Sequence, residues 1–332
     1  MLDIKKINKK QLLEIKNTSF LILVKDEETF SRKLVKHINK QNVKAEFVIA
    51  DGSKKKQKKI FDKLNQRKKY YYYGEDKNIS IFFKKVLKSI DKCSKKFIFY
   101  CDQDNLLNFQ AIKKHEKFLL ESSNYSAVRG IIYNFKYVNK KIYLLRNHYK
   151  DYKDFNSFIL RYFFNPNFRA YYCLHRKFIF KKVWTLVNRY KLKDVRSLSL
   201  VSNIITLSSG RIKTFEDVSI LRWSGLKKSD EKKLNDHFVN EIHKNRSKWF
   251  YDLFYNKKSL LKKILKDQKI FFNNLFFFKL YFFIFDILIN RIFRKFRKLL
   301  KKNEENSNNL KPLKIFKELK LNQIISEKEL IK

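Results

Sequence analysis

The sequence predicts an α/β fold in which a mostly parallel mixed sheet is flanked by helices and followed by a helical C-terminal extension. Two observations predict it. In the first half of the chain, short apolar runs alternate with stretches whose apolar residues recur at helical spacing, a pattern typical of parallel strands with covering helices. In addition, 44% of the 332 residues are hydrophobic, which suffices for a full-sized core.

The first half of the chain alternates between strands and helices. In the first helix, Phe30, Leu34 and Ile38 recur at i, i+4 and i+8, so they form one apolar face that packs on a sheet. The predicted strands are 19–24, 45–50, 70–73 and 96–101, and the predicted helices are 27–41, 54–66, 79–90 and 109–123. Because each pair of strands is separated by a helix, the strands are expected to run parallel.

The second half of the chain has a different pattern. Its predicted elements are a hairpin of strands 127–138 and 140–149, a strand at 168–175, a helix at 197–210 and a short strand at 220–223. A basic, Phe-rich helical region follows, and a polar low-complexity stretch interrupts it. The predicted parts are an N-terminal segment (1–17), an α/β domain (18–226), a basic Phe-rich helical extension (227–302), and a linker with a terminal helix (303–332).

Cysteine content and the N-terminus bear on the compartment. The 3 cysteines are odd in number and unevenly spaced, which argues against a disulfide framework and favours a reducing environment. The first residues contain no apolar core of a secretory signal. A cytoplasmic location is therefore predicted.

The formal net charge of +45 is the most extreme property of the sequence. Abundant Lys, Phe, Ile, Tyr and Asn with scarce Gly and Pro is typical of an AT-rich coding sequence, so much of this charge lies on solvated faces. The surface still attracts anionic partners such as nucleotide phosphates, nucleic acid and anionic lipid. Charge alone does not distinguish among these partners.

Acidic residues follow several predicted strands. Asp51 comes directly after the second strand, and Asp102 and Asp104 follow the fourth. Ligands of open α/β sheets bind outside the carboxyl ends of the strands, where these acids would converge. Two carboxylates suit Mg²⁺ or Mn²⁺, which take their other ligands from water and substrate phosphates. The alternative interpretation is an ordinary turn, because Asp favours turns and helix N-caps.

The sequence resembles a known enzyme family over about residues 18–225. The segments that carry the likeness are FLILVKDEETFSRKLVKHI, FVIADGS, FIFYCDQDN, GIIYNF, AYYCLHRKFIF and LVSNIITLSSGRIKTFEDVSILRW. In order and spacing they are similar to GT-A fold glycosyltransferases near inverting family 2, and to a bacterial subgroup with a D-D-D-F-like metal motif. The resemblance implies a GT-A (Rossmann-like) fold.

The resemblance also assigns expected roles around the D-x-D motif. Asp51 would contact the nucleoside. Asp102 would reach the ribose or the metal, and Asp104 would be the main ligand of Mn²⁺ or Mg²⁺. Gln103 stands where the subgroup often has another Asp, within the nucleotide-sugar site. Lys25 or Lys84 would meet the phosphates, with solvated surface lysines as the alternative.

An inverting transferase needs a base that removes the proton of the acceptor hydroxyl. Asp194, just before the helix at 197–210, is the first candidate, and a helix N-cap is its alternative role. Asp217 is the second, in a Glu216-Asp217 pair that resembles the family's E-D motif, and a surface turn is the alternative. His175 is a weaker candidate, for a metal ligand or an acceptor contact, against a purely structural role.

The segment 265–302 alternates long apolar runs with charges, among them Lys279, Asp286 and Arg291. A membrane-spanning helix needs about 20 mostly uncharged residues, so a span is not predicted. Two interpretations stay open. The segment packs on the α/β domain, or it lies at the membrane interface, with basic residues on anionic headgroups of the inner face.

The sequence thus predicts a hexosyltransferase-type glycosyltransferase, inverting by resemblance. Its donor would be a UDP- or GDP-sugar, and its acceptor a glycan or lipid-linked acceptor of surface polysaccharide synthesis. One alternative is a basic nucleic-acid-binding protein, because residues 67–74 (RKKYYYYG) interleave cations with aromatic rings. No recognised nucleic-acid module is present in the sequence, so no specific nucleic-acid partner is expected. The other alternative is a catalytically inactive GT-A scaffold.

Overall fold

The computed structural model describes residues 12–138, 141–146, 170–192, 195–223 and 258–267. The strands are β1 (Leu13–Val24), β2 (Val43–Asp51), β3 (Arg67–Tyr72), β4 (Phe97–Asp102), β5 (Asn105–Leu107), β6 (Tyr125–Val138), β7 (Lys141–Arg146), β8 (Leu174–Arg176) and β9 (Arg211–Trp223). The helices are α1 (Glu28–Lys40), α2 (Lys58–Phe61), α3 (Ile79–Lys92), α4 (Phe109–Glu121), α5 (Lys177–Arg189), α6 (Val195–Ser208) and α7 (Lys258–Asp267), with a 3₁₀ turn at Ala170–Tyr172.

Within these residues the strands form one mixed sheet flanked by helices, which confirms the predicted fold class. The strand order is β3-β2-β1-β4-β8-β6-β9-β5, and β7 pairs with the outer part of β6. The first four strands in this order are parallel to one another. In register, Val24 of β1 faces Asp51 of β2, and Leu23 of β1 faces Asp102 of β4. The carboxyl ends of β1, β2 and β4 therefore meet at one edge of the sheet, as predicted.

The remaining strands bring the end of β9 to the same edge. β8 joins β4 to β6 by antiparallel pairing, and β9 runs parallel to β6. The three-residue β5, just after the acidic motif, then pairs antiparallel with β9, with Asn105 opposite Arg222. The backbone N–H of Trp223 donates to the carbonyl of Asp104 at 3.1 Å. This pairing holds Arg222 beside the D-x-D motif.

The core is centred on β1, whose C-terminal half is buried on both faces. Phe20 is fully buried, and its ring lies 5.1 Å from that of Phe47, 5.2 Å from Phe109 and 5.9 Å from Phe99, measured between centroids. Helices cover both faces of a parallel sheet, so its strands are continuous apolar runs rather than alternating ones. Each such ring contributes roughly 1.5–3 kcal/mol through burial. The acidic edge therefore lies at the ends of strands that are packed into the core.

Three predicted elements differ from the structure. The strand predicted at 168–175 is wrong at 170–173 and confirmed at 174–175. Ala170 begins a 3₁₀ turn and donates its N–H to Asn203 Oδ1 at 2.8 Å, so the pairing in the sheet is limited to Leu174–Arg176. The helix predicted at 54–66 shrinks to α2, because the N–H of Gln57 donates to the Asp51 carboxylate and holds a loop before it. The short strand predicted at 220–223 is the end of the longer β9.

Only one helix of the predicted C-terminal extension is described. In α7, Ile264 is buried, and Asp267 accepts a hydrogen bond from the Tyr190 hydroxyl, just after α5, at 2.6 Å. The rest of the extension, with nearly all of the segment 265–302, lies outside the described residues, as do the linker and terminal helix. Among the described helices, none is both long and apolar enough to cross a membrane.

Candidate functional site

A cavity of about 230 Å³ lies at the carboxyl ends of β1 and β4. Charged and aromatic side chains dominate its wall. The acids are Glu27, Asp102 and Asp104, the cations are Lys25, Lys85 and Arg222, the aromatic rings are Phe30 and Phe82, and Leu23, Val24 and Gln103 complete the lining. An anion with an attached apolar or planar group matches this mixture of cations and rings. We call this cavity the edge pocket.

Asp102 is the last residue of β4 and is held by two phenols. Its Oδ1 accepts a hydrogen bond from Tyr100 at 3.0 Å, and its Oδ2 accepts one from Tyr172 at 2.6 Å. Tyr100 and Tyr172 are buried and their rings pack edge to face, 5.6 Å apart. Both oxygens of Asp102 therefore accept a hydrogen bond from the protein, and these bonds fix the orientation of the carboxylate.

Asp104 has more distant protein partners than Asp102: besides Arg222, the Asn105 amide, with its nitrogen towards Asp104, donates to Oδ1 of Asp104 at 3.2 Å. Its Oδ2 lies 3.5 Å from Nε of Arg222, whose Nη2 is 3.9 Å from Oδ2 of Asp102. The guanidinium also lies over the Tyr172 ring, 5.5 Å from its centroid. Burial raises the pKa of Asp104 to about 6 despite the attraction of Arg222, which acts in the opposite direction. Asp104 is thus a partly buried carboxylate whose ionised form a second cation would stabilise.

Gln103 joins the D-x-D motif to the loop between β1 and α1. Its Nε2 donates to the carbonyls of Lys25 at 2.8 Å and Glu27 at 3.3 Å, and its Oε1 accepts from the Lys25 N–H at 2.9 Å. A carboxylate at this position has no N–H to donate to those carbonyls. The amide here therefore has a structural function that an acid cannot fulfil. This function was not apparent in the sequence.

The structure brings Lys25 to the edge pocket but not Lys84. Lys84 is exposed on α3, while its neighbour Lys85 is buried and lines the pocket. The Lys85 ammonium pairs with the Asp76 carboxylate and lies 3.4 Å from the carbonyl of Val24. Burial lowers the pKa of Lys85 and raises that of Asp76. The structure thus places Lys85 rather than Lys84 in the lining of the edge pocket, and the phosphate contact expected of Lys84 stays a prediction.

A signal for Lys85 is present in the sequence. It lies three residues after Phe82 and four before the buried Ser89, on the inward face of α3. A lysine inside an apolar stripe is rare unless it is paired. Gly52 makes room for the pair, since a Cβ at this position would lie 2.1 Å from Oδ2 of Asp76. The lysine-rich surroundings hid this signal.

Asp51 lies at the acidic edge but does not line the edge pocket. Its carboxylate is fully buried and accepts from the N–H of Ser53 at 2.9 Å, from the N–H of Gln57 at 2.8 Å and from the Tyr70 hydroxyl. These bonds organise the loop between β2 and α2. The carboxylate oxygens are thus engaged by the protein itself, and the nucleoside contact expected from the resemblance stays a prediction.

Of the candidate bases Asp194 and Asp217 and the weaker candidate His175, the two that the structure describes do not line the edge pocket. Asp194 lies outside the described residues. Asp217 lies within β9 rather than in a turn, and its exposed carboxylate pairs with Lys114 at 2.7 Å, away from the pocket lining. His175 is fully buried, with Nδ1 3.0 Å from the Cys173 carbonyl and Nε2 3.2 Å from Thr206 Oγ1. Burial lowers its pKa to about 4, so the structural role of this histidine is favoured.

Asp102 and Asp104 form the candidate cation site of the edge pocket. In the described part of the chain, no group of three or more His, Cys, Asp or Glu side chains is arranged to hold a metal ion. Asp102 and Asp104 nevertheless provide hard oxygen ligands in a pocket that also contains cations for phosphates. Mg²⁺ is commonly held by one or two carboxylates, with water and substrate phosphates completing its ligands. The residues present fit such an ion, with Asp104 as the less committed ligand.

The chain was compared with known proteins. No protein-family model matches it, and no curated protein matches it. Solved structures do: S. aureus TarS is 14% identical with a TM-score of 0.44, covering 68% of this chain and 40% of that chain. S. aureus TarS 1–349 in complex with UDP-GlcNAc is 13% identical with a TM-score of 0.44, covering 64% and 59%. The same protein with UDP is 12% identical with a TM-score of 0.41, covering 73% and 72%. Likeness at this level leaves function to be argued from the edge pocket.

Proposed function

We propose that the chain is a glycosyltransferase that transfers a sugar from a nucleotide-diphosphate sugar to a glycan or lipid-linked acceptor. One observation carries the proposal: the edge pocket joins an acidic pair with Lys25, Lys85 and Arg222 at the carboxyl ends of parallel strands. Ligands of open α/β sheets bind at this position. The first-half motifs and their order, which resemble GT-A enzymes, support the same activity.

Different side chains of the edge pocket would recognise different parts of such a donor. Lys25 offers its ammonium group to the diphosphate and Arg222 offers a planar fork of N–H donors, while Lys85 stays paired with Asp76 in the pocket wall. Phe30 and Phe82 are half-buried rings that provide apolar surface for the base or ribose. Asp104 and Asp102 would hold Mn²⁺ or Mg²⁺, which supplies Lewis-acid stabilisation of charge on the departing nucleotide.

The proposed reaction forms a bond between the acceptor oxygen and the anomeric carbon. The bond from that carbon to the diphosphate oxygen breaks, the nucleoside diphosphate leaves, and a carboxylate base takes the acceptor proton. The transition state is oxocarbenium-like, as in glycoside hydrolysis. Asp194 is the preferred candidate for the base, because Asp217 is already paired with Lys114 on the exposed face of β9. Inversion at the anomeric carbon belongs to the same proposal.

A nucleotide-sugar panel tests this function. UDP- and GDP-sugars are incubated with the full chain, with and without Mn²⁺, and release of the nucleoside diphosphate is measured. UDP-GlcNAc and UDP, the ligands of the TarS structures, are included as probes. We expect release from one donor class, increased by Mn²⁺. Absence of both binding and release across the panel contradicts the proposal, and tight binding without turnover favours the inactive scaffold.

The nucleic-acid alternative is less well supported by the contacts of β3. Lys68 donates to the carbonyls of Asp62 and Leu64 at 2.7 and 2.8 Å, and Lys69 pairs with Glu46 at 2.8 Å. The Tyr70 hydroxyl donates to the Asp51 carboxylate. Lys68, Lys69 and Tyr70 of this strand are therefore engaged in structural contacts.

Contact with an anionic membrane is a separate part of the proposal. It rests on the basic, Phe-rich composition of residues 265–302. Co-sedimentation of the full chain with vesicles of neutral lipid, and of neutral plus anionic lipid at matched salt, measures it. Equal binding to both vesicles contradicts the proposed electrostatic contact.

A further inference from the structure

Arg222 occupies the space on which the two acids of the edge pocket converge. Its guanidinium is 3.5 Å from a carboxylate oxygen of Asp104 and 3.9 Å from one of Asp102. The backbone of Arg222 is fixed by its strand pairing with Asn105, and its guanidinium lies over the Tyr172 ring. These contacts involve both acids at once, so the guanidinium is their shared counter-ion.

We propose that Arg222 is a resident cation that competes with a divalent metal for Asp102 and Asp104, and that it is released to the donor diphosphate when metal and nucleotide bind. The diphosphate in this statement rests on the proposed function. The competition between guanidinium and metal rests only on the geometry of the acid pair.

Electrostatics requires this competition. A divalent ion bound to the Asp104 carboxylate at about 2 Å would lie within a few ångströms of the guanidinium, where the two positive charges repel one another. Either the metal binds weakly or the arginine leaves. Because a single guanidinium neutralises two carboxylates only partly, the acids keep an attraction for a cation of higher charge.

A diphosphate changes the balance between the two cations. Its oxygens accept bidentate hydrogen bonds from a guanidinium and also ligate the metal, so both cations are accommodated together. Metal and nucleotide should therefore bind cooperatively, each increasing the affinity of the other by the same factor. In the absence of nucleotide, wild-type protein should bind Mn²⁺ weakly.

The test is Mn²⁺ titration of the full chain without nucleotide, by calorimetry or by the electron paramagnetic resonance signal of free Mn²⁺. Arg222→Gln should bind Mn²⁺ about tenfold more tightly than wild type, because the repelling charge is gone. Arg222→Met, which keeps the aliphatic stem over Tyr172, should do the same and serves if Arg222→Gln does not fold. Arg211→Gln, which removes an exposed charge at the other end of β9, is the matched control and should leave the affinity unchanged.

The outcomes separate this inference from the proposed function. Unchanged or weaker Mn²⁺ binding in folded Arg222→Gln and Arg222→Met overturns the inference, as does an equal increase in Arg211→Gln or undetectable Mn²⁺ binding in every protein. UDP and GDP titrations are run on the same samples. If the proteins bind nucleotide but the Arg222 variants do not bind Mn²⁺ more tightly, the inference fails and the glycosyltransferase proposal stands. If the Arg222 variants bind Mn²⁺ more tightly but no protein binds nucleotide, the glycosyltransferase proposal fails and the competition between guanidinium and metal stands.

Discussion

At the scale of single residues, the two acids of the D-x-D motif differ in how far the protein satisfies them. Asp102 accepts hydrogen bonds from two buried phenols, whereas Asp104 is partly buried and has longer contacts, with the Arg222 guanidinium and the Asn105 amide. A carboxylate with few protein donors keeps more of its affinity for an external cation. The motif is therefore asymmetric, with Asp102 as the positioned acid and Asp104 as the available one.

Replacing Asp104 by Asn should remove the increase in nucleotide affinity that Mn²⁺ produces, because the less committed oxygen ligand is lost. Calorimetric titration of the nucleotide with and without Mn²⁺ measures the change. Asp91→Asn, an exposed acid paired with Lys181 on the surface, is the control and should retain the increase. An Mn²⁺ effect of wild-type size in Asp104→Asn would show that the metal binds elsewhere.

The raised pKa of Asp104 makes a pH-dependent contribution to stability. The folded-state pKa is about 6 and the ordinary value is 3.8, so the folded protein holds this proton more tightly than the unfolded chain. As pH rises from 3.8 to about 6, ionisation of Asp104 lowers the free energy of unfolding, and above about 6 this decrease has reached its full size. Asp104→Asn should therefore be more stable than wild type above about pH 7, by on the order of 1 kcal/mol, and the advantage should shrink towards about pH 4. Urea unfolding at both pH values measures it, and an advantage that grows on acidification contradicts the assignment.

At the scale of elements, one amide links β4 to the turn after β1. Gln103 donates to two carbonyls of that turn and accepts one of its N–H groups. Lys25, which follows β1, donates its ammonium to the carbonyl of Asp76 at 3.0 Å, so the turn before α3 is tied in as well. Polar bonds between loops thus set the shape of the edge pocket, while the apolar core sets its location.

Introducing an acid at position 103 should destabilise the protein rather than improve the proposed metal site. Gln103→Asp leaves the carbonyls of Lys25 and Glu27 without their donor, which costs about 1–3 kcal/mol where such groups are buried. Chemical unfolding compared with wild type measures the loss. Wild-type stability together with tighter Mn²⁺ binding would instead mean that Gln103 is a weakened metal-ligand position.

The buried pair on α3 gives a second prediction at this scale. Lys85→Met leaves the Asp76 carboxylate buried without its partner, and removing one member of such a pair costs about 3–5 kcal/mol. The double variant Lys85→Met/Asp76→Asn should recover part of that loss. Lys84→Met, the adjacent exposed residue on the same helix, should lie within about 0.5 kcal/mol of wild type. Thermal unfolding of wild type and the three variants measures these differences. Equal losses of stability in Lys84→Met and Lys85→Met would contradict the buried pair.

At the scale of the whole molecule, periodicity and strand ends were sufficient to predict the sheet edge and the acids on it. The apolar run of β1 and the apolar stripe of α1 are local patterns, and they fold as expected. Arg222 and Tyr172 were missed because their contacts with the acids depend on strand pairing and a 3₁₀ turn far along the chain. Lys85 was missed because burial, rather than residue type, distinguishes it from its many neighbouring lysines.

The pairing of β5 with β9 also determines when the edge pocket is complete. Asp104 and Arg222 are separated by roughly a third of the chain, so the acids leave the ribosome long before their counter-ion does. A nascent chain that ends before β9 carries the D-x-D motif but cannot form the shared ion pair, and its acids repel one another. Folding of the N-terminal strands alone would therefore leave the acidic edge open to any cation in the cell. Synthesis of β9 is the event that restricts access to it.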